Sequence, residues 1–357
     1  MKKIFLAFTF LMGILGNIIA QDSSKLKISV SADIYYKYDF AQSKNFTPNS
    51  DILGTKQNSL DFGMLDLKLE KTAGKVYFYS DIAFGPRPDT KPVDPQNSFH
   101  IQNLYVTYKL NRRLSFSAGA MYKYQSFEKI TPSDNFNYSM SKAWVQNFLS
   151  NPRAAGVRAS YSFSDKVSVN AGFYNSVDPK APADNVSASP LYGVGDFVAQ
   201  LFVKPVKNLQ LSAAYWVESQ TDNGTHINFQ AKYQLCKTMK FGLDYTKYNC
   251  KDQFVGVSSY ESMVLYVQKS FCKVFTIGGR YEYMNKTEGP NRFSQYVPGY
   301  YNIFTLTLNE KFGAINFKQE YRFDQTNSSN FNTPYFDKDG NQTNRQAQII
   351  FAAVYNF

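Results

Sequence analysis

The chain has 357 residues, of which 43% are hydrophobic, 17% aromatic and 19% charged, with a formal net charge of +11 and a mean hydropathy of -0.39. The length alone suits about two globular domains, but 27 Tyr and 31 Phe beside 2 Trp and 3 Cys favour strands, because aromatic side chains fit a pleated surface. Beyond the N-terminus no apolar run approaches the ~18 positions of a membrane-spanning helix, Ile349 to Val354 being one of the longest, and a helical membrane protein is thereby excluded.

The first element is a processing segment. Lys2 and Lys3 precede an almost purely apolar stretch, Ile4 to Ile19, which ends on the small residue Ala20; this is the pattern of a secretory signal peptide. Residues 1–20 are expected to be removed, leaving a mature chain of residues 21–357 that starts near Gln21. No Cys follows the cut, so no lipid anchor is indicated there. Cys236, Cys250 and Cys272 are an odd number without metal-ligand spacing, which predicts free thiols rather than a disulfide framework or a metal site.

One pattern then repeats to the end. From Leu114 to Tyr124, Leu, Phe, Ala, Ala, Tyr and Tyr alternate with Ser, Ser, Gly, Met and Lys, the period of two that marks a strand with one apolar face. The same alternation predicts strands at 26–38, 58–70, 74–83, 98–110, 113–124, 153–164, 166–176, 194–204, 207–218, 224–235, 239–249, 258–270, 273–284, 298–310, 314–323 and 344–357. Segments 74–83 and 258–270 have a mixed phase, which leaves the count of sixteen open by two. The connections alternate as well: 39–57, 84–97, 125–152, 177–193, 219–223, 250–257, 285–297 and 324–343 fall on one side, and only tight turns on the other. Antiparallel meander strands in a closed barrel produce that alternation, with the long loops at one end.

A soluble sandwich also gives period two. Its strands, however, have a mode of roughly 5–6 residues, and many of these are of the ~9–11 residues that a tilted strand needs to cross a bilayer. Aromatics at segment ends, such as Tyr35, Tyr36 and Tyr38, Tyr281 and Tyr283, or Tyr355 and Phe357, suit the girdles at two membrane interfaces. Closure satisfies every backbone donor and acceptor within the sheet, as hydrocarbon demands. The expected fold is therefore all-β: a transmembrane antiparallel up-and-down β-barrel of about 16 strands, with long extracellular loops and short periplasmic turns. The last strand places Ile349, Phe351, Ala353, Tyr355 and Phe357 on one face and ends on an aromatic residue, resembling the terminal signal that barrel-assembly machinery recognises in bacterial outer-membrane proteins.

The stretch from Asp134-Asn135-Phe136-Asn137-Tyr138-Ser139, through Arg153 to Tyr161, to Asp165-Lys166-Val167-Ser168 and Phe173-Tyr174-Asn175 resembles the OmpL-like family of β-barrel porins. The match is densest over 98–178. The resemblance implies an outer-membrane channel of a Gram-negative, Bacteroidetes-type cell, integral to that membrane, surrounded by its lipid and lipopolysaccharide and assembled by barrel-assembly machinery. It supplies no catalytic residues and no cofactor.

On this strand phase, Lys27, Lys68, Lys109, Lys123, Arg158, Lys232, Lys240, Arg280, Lys318 and Arg322 point inward with Asp33, Asp66, Glu70, Glu218, Asp244, Glu282 and Glu320. Charges facing lipid would cost ~2–4 kcal/mol each near the midplane, so their collection on one face predicts a water-filled, pore-lining surface. The basic excess fits a preference for anions; cross-strand ion pairing that merely stiffens the wall accounts for it equally well. In the longest connection, Ser139 is placed to cap a helix along which Met140, Trp144 and Phe148 recur, with Pro152 ending it. Asp134, Tyr138, Lys142 and Trp144 are the expected constriction residues of a loop folded into the barrel mouth; a helix on the outer rim is the alternative.

An enzyme has few available bases, since His100 and His226 are the only histidines; both are expected to be interfacial or loop polar residues. Bases spread over many strands do not form a nucleic-acid patch. The sequence thus predicts a passive, non-enzymatic channel for ions and small hydrophilic solutes, with association of three barrels left open. The runner-up is a non-channel barrel acting as adhesin, anchor or assembly partner.

Overall fold

The computed structural model describes residues 25–42, 58–87, 99–143, 153–176, 192–218, 224–252, 256–287, 298–327 and 335–357. The expected signal segment 1–20 and the constriction candidate Trp144 lie outside these residues. The strands are β1 Lys27–Asp39, β2 Ser59–Ala73, β3 Val76–Phe84, β4 Phe99–Lys109, β5 Leu114–Tyr122, β6 Arg153–Ser162, β7 Val167–Ser176, β8 Tyr192–Val206, β9 Leu209–Glu218, β10 Thr225–Cys236, β11 Met239–Asp252, β12 Gly256–Ser270, β13 Phe275–Lys286, β14 Gly299–Phe312, β15 Ile315–Thr326, β16 Tyr335–Phe336, β17 Gln342–Thr343 and β18 Arg345–Asn356. Sixteen of them close a single barrel in which each pairs with its chain neighbours; β16 and β17 form a separate small hairpin.

Closure is made by the first and last strands. β1 pairs β18 antiparallel from Ser31 opposite Asn356 to Asp39 opposite Gln348, and Val30 and Phe357 exchange both backbone hydrogen bonds at 3.0 and 2.9 Å. No edge is left at that seam, which removes the unpaired amides and carbonyls that hydrocarbon would not tolerate.

The tight turns sit where the backbone must reverse. Gly74 and Gly313, each in a two-residue connection, take φ values of +56° and +59°, a conformation glycine adopts without a Cβ penalty. The strands accordingly run on to these glycines, so β2 and β14 end two or three residues later than periodicity alone predicts. At the same end Phe163, Phe271, Phe312 and Phe357 are exposed and form one aromatic girdle.

Period two also resolves the mixed phase of β3. Asp81 lies opposite Lys68 and Tyr79 opposite Glu70, so Tyr77, Tyr79 and Asp81 face inward. Tyr35 corrects the girdle expectation. It shares the inward face with Asp33 and is 1% exposed, its ring 5.7 Å from that of Tyr138. Tyr36 and Tyr38 keep the outward phase.

Candidate functional site

The segment between β5 and β6 enters the barrel. After Tyr122 the chain turns inward, and Lys123 pairs with Asp196 of β8. Gln125 N–H then donates to Gln200 at 2.8 Å, and Phe127 stacks on Tyr266 of β12 at 4.3 Å and 13°. A 3-10 turn at Pro132–Asp134 follows. From there to Ala143 the loop lies against the inner faces of β1, β2, β13, β14, β15 and β18.

Two kinds of contact hold it. The first is charge-assisted hydrogen bonding from wall carboxylates and cations to loop backbone. Glu320 accepts from Tyr138 N–H and Ser139 N–H at 2.7 and 2.8 Å. Glu282 accepts from Lys142 N–H and Ala143 N–H at 2.8 and 2.7 Å. Arg280 donates to Ser139 O at 2.7 Å and pairs with Glu128 at 2.8 Å. Arg322 donates to Met140 O at 2.8 Å while its Nε holds Asp324 at 2.7 Å. Lys318 donates to Pro132 O and Asn135 O at 2.8 and 2.6 Å. Such bonds are shorter and stronger than neutral ones, and they satisfy loop amides and carbonyls that would otherwise be buried unpaired.

The second is apolar packing. Met140 and Ile130 join Met64, Tyr260, Met284, Tyr301 and Ile303 in one buried cluster. Tyr138 joins Tyr35, Ile350, Ala352 and Val354 in another. Inward glycines supply the sockets: a Cβ on Gly278 would collide with the ring of Phe136, and one on Gly242 with the ring of Phe127.

The expected constriction residues separate accordingly. Tyr138 and Lys142 are fully buried. The Tyr138 hydroxyl bonds Asp33 and Arg87 lies 4.4 Å over its ring; Lys142 reaches Asp324 at 3.1 Å. Asp134 instead remains 43% exposed and bonds Lys68 at 2.8 Å. Ser139 uses its hydroxyl to accept from Arg280 at 3.2 Å. A helical turn starts only at Lys142, and its continuation lies outside the described residues.

The expected pore-lining residues separate too. Arg280, Glu282, Lys318, Glu320 and Arg322 face inward, yet all are 2% exposed or less. The loop covers them, so they serve as its anchors and do not line free lumen. Lys123 is buried at the loop's start against Asp196 and Trp216, Glu218 lies 3.6 Å from His226, and Asp244 accepts from Asn228 at 2.6 Å. Lys109 faces inward at the short-turn rim. Lys68, Arg158 and Lys232 keep surface toward the interior. His226 faces inward near the start of β10, stacked 4.3 Å from Trp216 and tilted at 4.3 Å from Tyr248. His100 is the second residue of β4, opposite Ala83.

Lys129 was not singled out by the sequence. It sits on the loop face away from the wall, with Lys232, Asp134, Lys68 and Asp81 as its charged neighbours. Enclosure within the barrel, together with Lys232, pulls its ammonium down to about 8. Only its position on an inserted loop gives it that role, and no local motif announces such a position. A concavity of about 670 Å³ lies elsewhere. It is on the outer surface, where Gly279 leaves a gap among Phe241, Leu265, Phe304 and Leu306. Those residues face hydrocarbon.

A closed sixteen-stranded barrel with an apolar exterior, a charged interior and an inserted loop defines an integral outer-membrane porin. Residues 25–357 match the family described as "Putative beta-barrel porin-2, OmpL-like", and the chain belongs to it. No curated protein matches the sequence. Solved structures of the same fold include the outer membrane channel DcaP of Acinetobacter baumannii, 13% identical with a TM-score of 0.64 over 95% of this chain and 99% of that one. An anion-selective porin from Comamonas acidovorans is 12% identical, with a TM-score of 0.65 over 94% and 100%. The trimer form of OmpT of Vibrio cholerae is 13% identical, with a TM-score of 0.60 over 94% and 100%.

Proposed function

We propose that this outer-membrane channel passes small hydrophilic solutes by passive diffusion, favours anions, and is narrowed by residues 123–143. The observation that carries the reading is an asymmetry among interior charges. Asp33, Glu128, Glu282, Glu320 and Asp324 are committed to loop atoms or to cations, and Asp81 and Asp244 accept hydrogen bonds from the side-chain amides of Asn103 and Asn228. Lys129, Arg158 and Lys232 have no carboxylate within ion-pair distance among the described residues. Uncompensated cations along a narrow lumen lower the barrier for anionic solutes. The composition of the interior alone would not decide this, because paired charges largely cancel.

Recording of the refolded protein in planar bilayers under a salt gradient tests it. Stepwise conductance with a reversal potential on the anion side is expected, and a cation-side potential would overturn the selectivity. The competing reading, a non-channel barrel plugged by its own loop and serving as adhesin, anchor or assembly partner, draws on the complete burial of Tyr138 and Lys142. A folded barrel without conductance would establish it.

The remaining expectations belong to the same proposal. Residues 1–20 act as a signal peptide, barrel-assembly machinery inserts the chain in a Bacteroidetes-type outer membrane among lipid and lipopolysaccharide, and three barrels associate, as in the trimer form of the Vibrio cholerae neighbour. We assign no catalytic step: the ring of His226 is packed between Trp216 and Tyr248.

A further inference from the structure

The inner wall has a stretch of aromatic residues that the loop leaves largely uncovered, with Tyr105 at its edge packed against the cluster of Met121, Tyr124, Tyr174 and Trp216. Tyr77 and Tyr79 of β3 and Tyr105 of β4 all face inward, and all remain half-buried. The other inward aromatics, such as Tyr35, Tyr260 and Tyr301, are buried in clusters with the loop. The rings of Tyr77 and Tyr79 stand 6.3 Å apart at 21°, and Tyr79 and Tyr105 stand 5.3 Å apart at 37°. They make a continuous aromatic strip that crosses from one strand to the next.

Polar groups border the strip at hydrogen-bonding range. Glu70 accepts from the Tyr77 hydroxyl at 2.8 Å, and Asp81 lies 3.4 Å from the Tyr79 hydroxyl. Arg158 of β6 places its guanidinium 5.9 Å from the centre of the Tyr105 ring, and its buried Nε has no hydrogen-bond partner among the described residues. A donor buried without a partner is costly. Aromatic surface turned toward water in a lumen gains no burial either. Both are resolved by a ligand with an apolar face and hydroxyl edges.

Resting on the channel reading above, we propose that this strip is a binding track for saccharides. The C–H face of a pyranose ring packs on each tyrosine, and ring hydroxyls bond Glu70, Asp81 and Arg158. The tyrosine spacing is comparable to the repeat of a linear oligosaccharide, so one chain can engage successive rings. An open-chain polyol has the same hydroxyls without the apolar face, which makes it the discriminating control.

The test uses the refolded full-length barrel in planar bilayers, with maltotriose as probe and sorbitol as ring-free control. Maltotriose is expected to reduce the ion current saturably, and sorbitol is not. Tyr79→Ala should weaken the maltotriose affinity about tenfold, the loss of roughly one stacking contact, with salt conductance unchanged. Tyr79→Phe should retain the affinity, because the ring is kept. If Tyr79→Ala fails to fold, Tyr105→Ala and Tyr79→Leu carry the same expectation. Normal conductance with no saturable block, or a block indifferent to Tyr79, Tyr105 and ring closure, overturns the track and leaves the channel reading standing. Titration calorimetry in detergent separates the opposite case: maltotriose binding by a barrel without conductance overturns the channel reading and supports the track. Absence of both conductance and binding overturns both.

Discussion

The inner surface divides into two walls of unlike construction. Beneath the inserted loop, β12 to β15 with β18 and β1 present Met, Tyr, Ile and Val among the buried anchors Arg280, Glu282, Glu320 and Arg322. Across the lumen, β3 to β7 present Tyr77, Tyr79, Tyr105, Arg158 and Asn170 with interior surface still open. The first wall is built as a protein core is built, and the second as a surface. The difference teaches that facing inward in a barrel does not define a solvent environment; what lies against the face does.

The largest disturbance of this contrast is removal of the loop. Deleting residues 133–150 should raise single-channel conductance severalfold, because the space now taken by Tyr138, Met140 and Lys142 becomes water. The deletion also exposes Arg280, Glu320 and Arg322 to that water, so both walls become charged surfaces and the barrel still closes through β1 and β18. Unchanged conductance in planar bilayers would show that the loop does not narrow the path.

Most of the barrel is legible in the sequence because lipid imposes a strict alternation over nine or more residues, as in Leu209, Leu211, Ala213 and Tyr215. The covered wall is where that legibility ends. Ile350, Ala352 and Val354 are apolar on the inward face, and beside the outward Phe351 and Ala353 they make β18 apolar on both sides. Period two cannot report which face meets lipid when both are apolar. Arg280, Glu320 and Arg322 have the residue types of a wet lumen, and only the long-range return of residues 137–143 reveals them as anchors. Inward Gly242 and Gly278 are readable as gaps, but nothing local says that phenylalanines 115 or more residues upstream fill them.

A single anchor gives the next effect. Arg280→Met removes the cation paired with Glu128 and two donors to the loop backbone, which leaves that buried carboxylate to the neutral donors Ser141 and Tyr266; breaking a buried ion pair in this way costs about 3–5 kcal/mol. The loop should loosen while the barrel persists. Limited proteolysis near Glu128 and noisier, larger conductance are the expected readouts; a protected loop with quiet wild-type currents would contradict the anchoring role. By contrast, Asn170→Met on the open wall should leave both measurements unchanged.

The sockets should respond more mildly. Gly278→Leu fills the space of the Phe136 ring, and overpacking of this kind typically costs about 1–3 kcal/mol. The strand is otherwise suited to the larger residue, so the strain falls on the loop. Conductance should increase by less than in the deletion, and Phe136→Ala in the same chain should restore part of the wild-type value. Rescue by the smaller partner is the outcome that ties the effect to this contact rather than to the strand.

The smallest effect concerns the face that the loop turns toward the open wall. Enclosure within the barrel and the neighbouring Lys232 lower the Lys129 ammonium to about 8, so it carries its charge below that pH and loses it as the pH rises through it. One interior cation is thereby withdrawn while the Arg158 side chain stays in place. Anion preference should therefore decline between about pH 7 and pH 9. Lys129→Arg should hold the reversal potential at its neutral-pH value across the window, and Lys129→Met should fix it at the weaker value throughout. A wild-type decline that persists unchanged in both variants would place the titrating group elsewhere, and the loop would then narrow the lumen without setting its charge.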